Sequence, residues 1–138
     1  GVFYAGTPAG GVWKTTSAGA VWFPIFDQFK NVDSIGAVMV APSDPNIVYV
    51  GTGDSVGGSL GDGMYKSTDA GATWTHIGLE ETVKINKMVA VQDCGLIVSL
   101  ETAESAFQTS LPRSPLRRSI LNTWPHPSVA YMKPSSTR

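Results

Sequence analysis

The sequence predicts an all-β fold of about two to two-and-a-half four-stranded antiparallel propeller blades, followed by an irregular C-terminal tail. Three observations carry the prediction. The chain repeats itself: residues 1–7 (GVFYAGT) match 46–52 (NIVYVGT), and 11–22 (GVWKTTSAGAVW) match 63–74 (GMYKSTDAGATW). The segments between turn signals are short and rich in Val, Ile, Tyr and Trp, residues that suit a pleated, half-buried surface. No stretch shows the 3.6-residue apolar period of an amphipathic helix. The offsets between the two copies, 45 and 52 residues, lie near the ~40–50 residues of one blade.

The second copy is the more complete. Residues 35–40, 47–51, 64–67 and 73–77 read as its four strands. Pro42, Asp44, Pro45 and Asn46 supply the turn between the first two. The first copy supplies three strands. The seven extra residues of the second copy all fall in one loop, 53–62, where the first copy has only 8–10. A weaker third echo starts at Lys84: KINKMVAV lies on SIGAVMVA, and GLIVSL on NIVYVG. Residues 1–92 are thus read as blades, and 93–138 as a degenerate third blade with a Pro/Ser/Arg-rich tail.

Composition agrees with this division. The 138 residues carry ten Lys+Arg and eleven Asp+Glu, a net charge of −1, which argues against a polyelectrolyte partner for the whole chain. From Phe107 onward there is no Asp or Glu, while Arg113, Arg117, Arg118, Lys133 and Arg138 are present. With its prolines this stretch reads as a solvated tail rather than a nucleic-acid site. One cysteine, Cys94, excludes an internal disulfide framework. No apolar run approaches the ~18 residues of a membrane span, and no secretory leader is visible after Gly1.

The most specific motif is the hairpin 67–74, STDAGATW. Asp69 is placed to accept backbone N–H groups across a tight turn, and Ser67 to bond across the same loop. Gly71 takes the left-handed conformation at little cost. Trp74 folds its ring over the hairpin and buries apolar area. S-x-D-x-G-x-T-W resembles the Asp box, or bacterial neuraminidase repeat. The first copy is a degenerate version that keeps Gly19 and Trp22 but has Ser17 in place of Asp69. On these residues, 1–92 resemble the bacterial Asp-box propellers, relatives of the sortilin-type propellers, the xyloglucanases and the sialidases. The resemblance implies a propeller, an extracellular or periplasmic location, and a structural role for Ser67, Asp69, Gly71, Trp74, Gly19 and Trp22.

Alternation of strands places the boxes at one end of the blades and the loops 8–10, 27–33, 53–62 and 78–84 at the other. That end gathers Asp27, Asp33, Asp54, Asp62, Glu80 and Glu81 against Lys30 and Lys84, with Ser55, Ser59 and Thr82. Asp54, Ser55, Asp62, Glu80 and Glu81 are the candidate binding residues for a carbohydrate or protein ligand. Glycoside hydrolysis needs two carboxyl groups ~5–10 Å apart, for which Asp54 and Asp62 are the only weak candidates. The arginine cluster of a sialidase is missing, because every Arg lies in the tail. VYVGTGDSVGG imitates the start of a GDS-type esterase with Ser55 as nucleophile, but neither His76 nor His126 has the Asp three residues before it that the dyad needs. The same loop lacks the Gly-Lys-Ser/Thr ending of a phosphate cradle. Two scattered histidines suggest no metal site, and nothing calls for a cofactor. The sequence therefore reads as a non-catalytic binding or scaffold segment of a propeller. The alternatives are a fragment of a secreted glycoside hydrolase and a lectin-like propeller that closes its ring by homo-oligomerisation.

Overall fold

The computed structural model describes residues 1–29, 32, 34–54, 60–91, 95–102 and 129–132. Ser55, Ser59, Lys30, Asp33, Cys94, His126 and the arginines of the tail lie outside them. The described residues hold no helix and form three antiparallel sheets in chain order. The first comprises β1 (Phe3–Gly6), β2 (Val12–Thr15) and β3 (Phe23–Pro24). The second comprises β4 (Ile35–Val40), β5 (Val48–Thr52), β6 (Met64–Ser67) and β7 (Thr75–His76). The third comprises β8 (Thr82–Val91), β9 (Gly95–Thr102) and β10 (Val129–Met132), with β9 in the middle.

The two copies fold alike. Phe3 pairs with Thr15 and Ala5 with Trp13 in the first sheet. Their counterparts Val48 and Ser67, and Val50 and Tyr65, pair in the second. The expected strand 47–51 is shifted by one residue, to 48–52, and Ile47 belongs to the turn, where its N–H donates to Asp44 O at 3.1 Å. The expected strand 73–77 shortens to Thr75–His76, since Thr73 bonds back to Asp69 inside the turn. The third echo is a real sheet: β8 and β9 form a hairpin across the 92/93 division. Within the stretch read as the tail, one short strand joins this sheet. Val129-Ala-Tyr-Met132, an apolar and aromatic run among the prolines, pairs with β9.

The sheets stack through the faces set by pleating. Between the first and second sheets lie Val12, Phe26, Val32, Ile35, Val50 and Tyr65, all buried, with Ile25, Phe29, Val38 and Trp74 packed around them. Phe26 is the centre of this seam. Its ring meets Tyr65 edge-on at 5.1 Å and Trp74 edge-on at 5.3 Å, the geometry that aromatic quadrupoles favour. Between the second and third sheets, Met64 and Ile85 are fully buried, flanked by Met39, Tyr49, Ile77, Leu79 and Met88.

The seams share a steric key. A Cβ on Gly6 would stand 2.5 Å from Ile35 Cγ2, and a Cβ on Gly51 2.4 Å from Ile85 Cγ2. In each blade a glycine of the second strand of the repeat admits the isoleucine of the following sheet. Two outcomes follow. Met64→Ala should cost about 2–5 kcal/mol, because it empties a closed seam. Gly51→Ala should cost about 1–3 kcal/mol by overpacking the same seam. Urea unfolding followed by tryptophan fluorescence measures both, and a loss under about 0.5 kcal/mol for either would contradict this packing.

Candidate functional site

The blades have two ends of different chemistry. At the first end the 67–74 turn closes on itself. Ser67 Oγ donates to Asp69 Oδ1 at 2.7 Å and accepts from Gly71 N at 2.8 Å and Asp69 N at 3.2 Å. Asp69 accepts from Thr73 N at 2.8 Å and from Thr73 Oγ1 at 2.6 Å. These bonds to Thr73, then the one from Ser67, hold the exposed Asp69 carboxyl down at about 2. Ala70 and Gly71 both have positive φ, 57° and 91°, so the turn uses two left-handed residues where the sequence suggested one.

The degenerate first turn keeps almost the same bonds with other atoms. Thr15 Oγ1 accepts from Ser17 N at 3.2 Å and Gly19 N at 3.1 Å. Ser17 Oγ takes the place of the carboxylate and accepts from Val21 N at 2.9 Å. What is lost is the side-chain bond that Thr73 makes, since Val21 has no hydroxyl. Trp74 departs from expectation in its reach: its indole N–H donates to Ile25 O at 2.8 Å, across the seam. Among the described residues Trp22 bonds within its own turn, to Gly19 O at 3.1 Å.

The second end is assembled by backbone bonds between loops. Gly53 N donates to Ser34 O at 2.8 Å, Gly61 N to Val83 O at 2.8 Å, and Met64 N to Gly78 O at 2.9 Å. Thr52, fully buried, is the hub: its hydroxyl donates to Gly63 O at 2.7 Å and accepts from Asp62 N and Gly63 N at 2.9 and 3.0 Å. Tyr65 donates its hydroxyl to Asp62 Oδ2 at 2.7 Å. Burial first, and then the bond and charge of Asp62, push that phenol above its ordinary range. His76 Nε2 donates to Asp62 O at 2.8 Å, and its Nδ1 lies 3.5 Å from Glu80 Oε1. With Nε2 protonated toward the carbonyl, Nδ1 donates to Glu80 only in the imidazolium.

The structure therefore links Asp62 to Glu80 through His76 and adds Tyr65 and Thr52 as partners that the sequence did not single out. The signal for Tyr65 was its place two residues after the Asp62-Gly63 pair, on the strand that opens from that loop. Asp54 is 5% exposed and accepts from Ser34 Oγ at 3.2 Å, so it is a buried support of the loop rather than a surface group. Glu80 and Glu81 are exposed. Among the described residues no three His, Cys, Asp or Glu side chains are grouped to hold a metal ion, and no helix is long and apolar enough to cross a membrane.

Two experiments address these ends. Unfolded Asp69 titrates near 3.8 and folded Asp69 at about 2, so its contribution is complete above about pH 4 and is lost as the pH falls to about 2. The thermal midpoints of the protein and of Asp69→Asn should converge over that window; a gap that stays constant down to pH 2 would contradict the bonding described. At the other end, Tyr65→Phe should cost about 1–3 kcal/mol in urea unfolding, the range for a buried bond to a charged group, and a silent substitution would argue against the Tyr65–Asp62 bond.

No family model matches the chain, and no curated protein matches it. Among solved structures, a GH74 enzyme from Niastella koreensis is similar, with a TM-score of 0.58 and 27% identity over 72% of this chain. The chain spans 15% of that enzyme's length. That enzyme is a β-propeller glycoside hydrolase, and with three stacked antiparallel sheets in chain order this chain has a propeller-type fold.

Proposed function

We propose that this chain is a segment of an Asp-box β-propeller whose loop end forms part of a carbohydrate-binding surface and does not itself carry out hydrolysis. The observation that carries the reading is the likeness to a glycoside hydrolase propeller over 72% of the chain. The Asp-box assignment is supported by the turn bonds of Ser67, Asp69 and Gly71 and by their repetition at Thr15, Ser17 and Gly19. The non-catalytic role is supported by the two candidate carboxylates. Asp54 is buried on Ser34. Asp62 is engaged by Tyr65 and lies 3.4 Å from Thr52 Oγ1. A general acid must instead face the glycosidic oxygen. The exposed Glu80 and Glu81, with Asp62 linked to Glu80 through His76, are the proposed ligand contacts, acting as acceptors for sugar hydroxyls, and Ser55, which lies outside the described residues, is kept with them on sequence alone. An extracellular or periplasmic location fits this role.

A second reading, part of a secreted glycoside hydrolase with Asp62 as a working carboxylate, is favoured by the activity named for the similar enzyme. Calorimetric titration of the full chain with a panel of β-glucan oligosaccharides separates the two. Saturable binding without release of reducing ends, weakened about tenfold (~1.4 kcal/mol) by Glu80→Gln with Glu81→Gln, is the expected result. Release of reducing ends that disappears in Asp62→Asn would establish the second reading. Absence of binding across the panel would refute the carbohydrate assignment.

A further inference from the structure

His76 stands where two loops of the second sheet interlock. Its cross-strand partner is Tyr65 of β6, whose ring it meets edge-on at 4.8 Å. Met64 N donates to Gly78 O at 2.9 Å and Ile77 N to Met64 O at 2.8 Å, so the connector after β7 is tied to the start of β6. The two backbones run so close that a Cβ on Gly63 would lie 2.4 Å from Gly78 O.

The connector then turns sharply. Gly78 and Leu79 both have positive φ, 105° and 66°. That conformation is costly for a leucine and persists only where the surroundings hold it. Here Leu79 packs against the buried pair Met64 and Ile85, and its carbonyl accepts from Thr82 N at 2.9 Å and Thr82 Oγ1 at 2.6 Å. The turn brings Glu80 back to His76, four residues before it. With the backbone held on both sides, the Glu80 side chain is the part left to move.

The imidazole faces an acceptor at each nitrogen. Nε2 lies 2.8 Å from Asp62 O and Nδ1 lies 3.5 Å from Glu80 Oε1. A neutral imidazole carries one N–H. On Nε2 that proton satisfies the carbonyl and leaves a lone pair against the carboxylate; on Nδ1 it does the reverse. The imidazolium alone donates to both. The other charged groups on the elements around the ring are engaged or directed elsewhere. The Asp62 carboxylate accepts from Tyr65 OH at 2.7 Å, and Glu81 is exposed. Lys66 alternates to the opposite face of β6, where its Nζ lies 5.7 Å from the Tyr49 ring centre. On β8, Lys84 stands at Gly53, its Cα 3.0 Å from where a Cβ there would lie.

We propose that His76 is a pH-operated latch at the loop end: protonated, it ties Glu80 to the Asp62 loop; neutral, it releases that carboxylate to accept from a ligand. Imidazoles change charge between about pH 5 and 8, a range in which ordinary carboxylates are ionised, so acid closes the latch by charging His76 rather than by neutralising its partner. The effect on ligand binding rests on the carbohydrate reading; the latch itself does not.

The test follows the side-chain carboxyl carbons of Glu80 and Glu81 and the ring protons of His76 by NMR in the full chain, from about pH 8.5 to about pH 5.5. The Glu80 carboxyl should shift with the same midpoint as the His76 ring while Glu81 stays flat, and His76→Gln should flatten Glu80. Over the same interval the affinity for β-glucan oligosaccharides should fall about two- to fivefold, the range of an exposed ion pair, and Glu80→Gln should remove that dependence. A Glu80 carboxyl that stays flat while His76 titrates overturns the latch whether or not sugar binds. So does a Glu80 shift that persists unchanged in His76→Gln. If Glu80 follows His76 and no oligosaccharide binds, the latch is upheld and the carbohydrate reading is refuted. If Glu80 follows His76 and sugar affinity holds level or rises on acidification, the control of binding is overturned.

Discussion

Trp74 reaching across to Ile25 O, with Phe26 wedged between Trp74 and Tyr65, is the contact on which the rest of the structure leans. A four-stranded sheet of this size has two faces and cannot bury either alone. The seam resolves that for the first two sheets by combining an aromatic cluster with bonds that run both ways across it: Tyr4 and Lys14 donate to the turn of the second sheet, and the turn donates back through Trp74. The turn is therefore more than a connector. Its left-handed Ala70 and Gly71 aim one carbonyl at two donors, and Gly71 leaves room for Ile25, whose Cδ1 would lie 2.6 Å from a Cβ there. The turn's internal bonds fix the geometry that the seam then uses.

Much of this was legible in the sequence because the repeat is local. Strands 35–40 and 64–67 are found where pattern placed them, and the order β4-β5-β6-β7 follows from four successive short segments with tight links. The equivalence of Ser17 to Asp69 was less legible. By identity the first turn looks degraded; by atoms, a hydroxyl on Ser17 meets Val21 N as the Asp69 carboxylate meets Thr73 N. Motif letters encode side chains, while the turn selects for an acceptor at one position, which two residue types supply. The reach of Trp74 to the first sheet was hidden for another reason: a bond between residues 49 apart depends on how sheets stack, which no local pattern carries.

The acids expected at the loop end differ in their surroundings. Asp54 and Asp62 sit near each other in sequence on one loop and look alike as carboxylates. Burial separates them: Asp54 is nearly closed to solvent beside Ser34, whereas Asp62 is partly exposed and tied to Tyr65. Because a buried carboxylate must be bonded to be tolerated, Asp54 serves the loop before it can serve a ligand. The residues that distinguish the two, Ser34 and Tyr65, lie on other elements, so the difference exists only once the sheets are assembled.

The contrast between the two ends bears on where function resides. At the turn end the donors and acceptors of Ser67, Asp69 and Thr73 satisfy one another, and the turn carbonyl of Ala70 is taken by the neighbouring sheet. Such an end offers a ligand little without breaking the seam that holds the blades together. At the loop end the support is internal, through Thr52, Ser34 and Tyr65, while the exposed Glu80 is reached only through the exposed His76 and Glu81 is exposed beside it. An exposed carboxylate, even one beside an exposed imidazole, changes partners at less cost to the fold than a buried one. That contrast is the physical basis on which recognition is proposed at the loop end, while the turns serve the packing of the sheets.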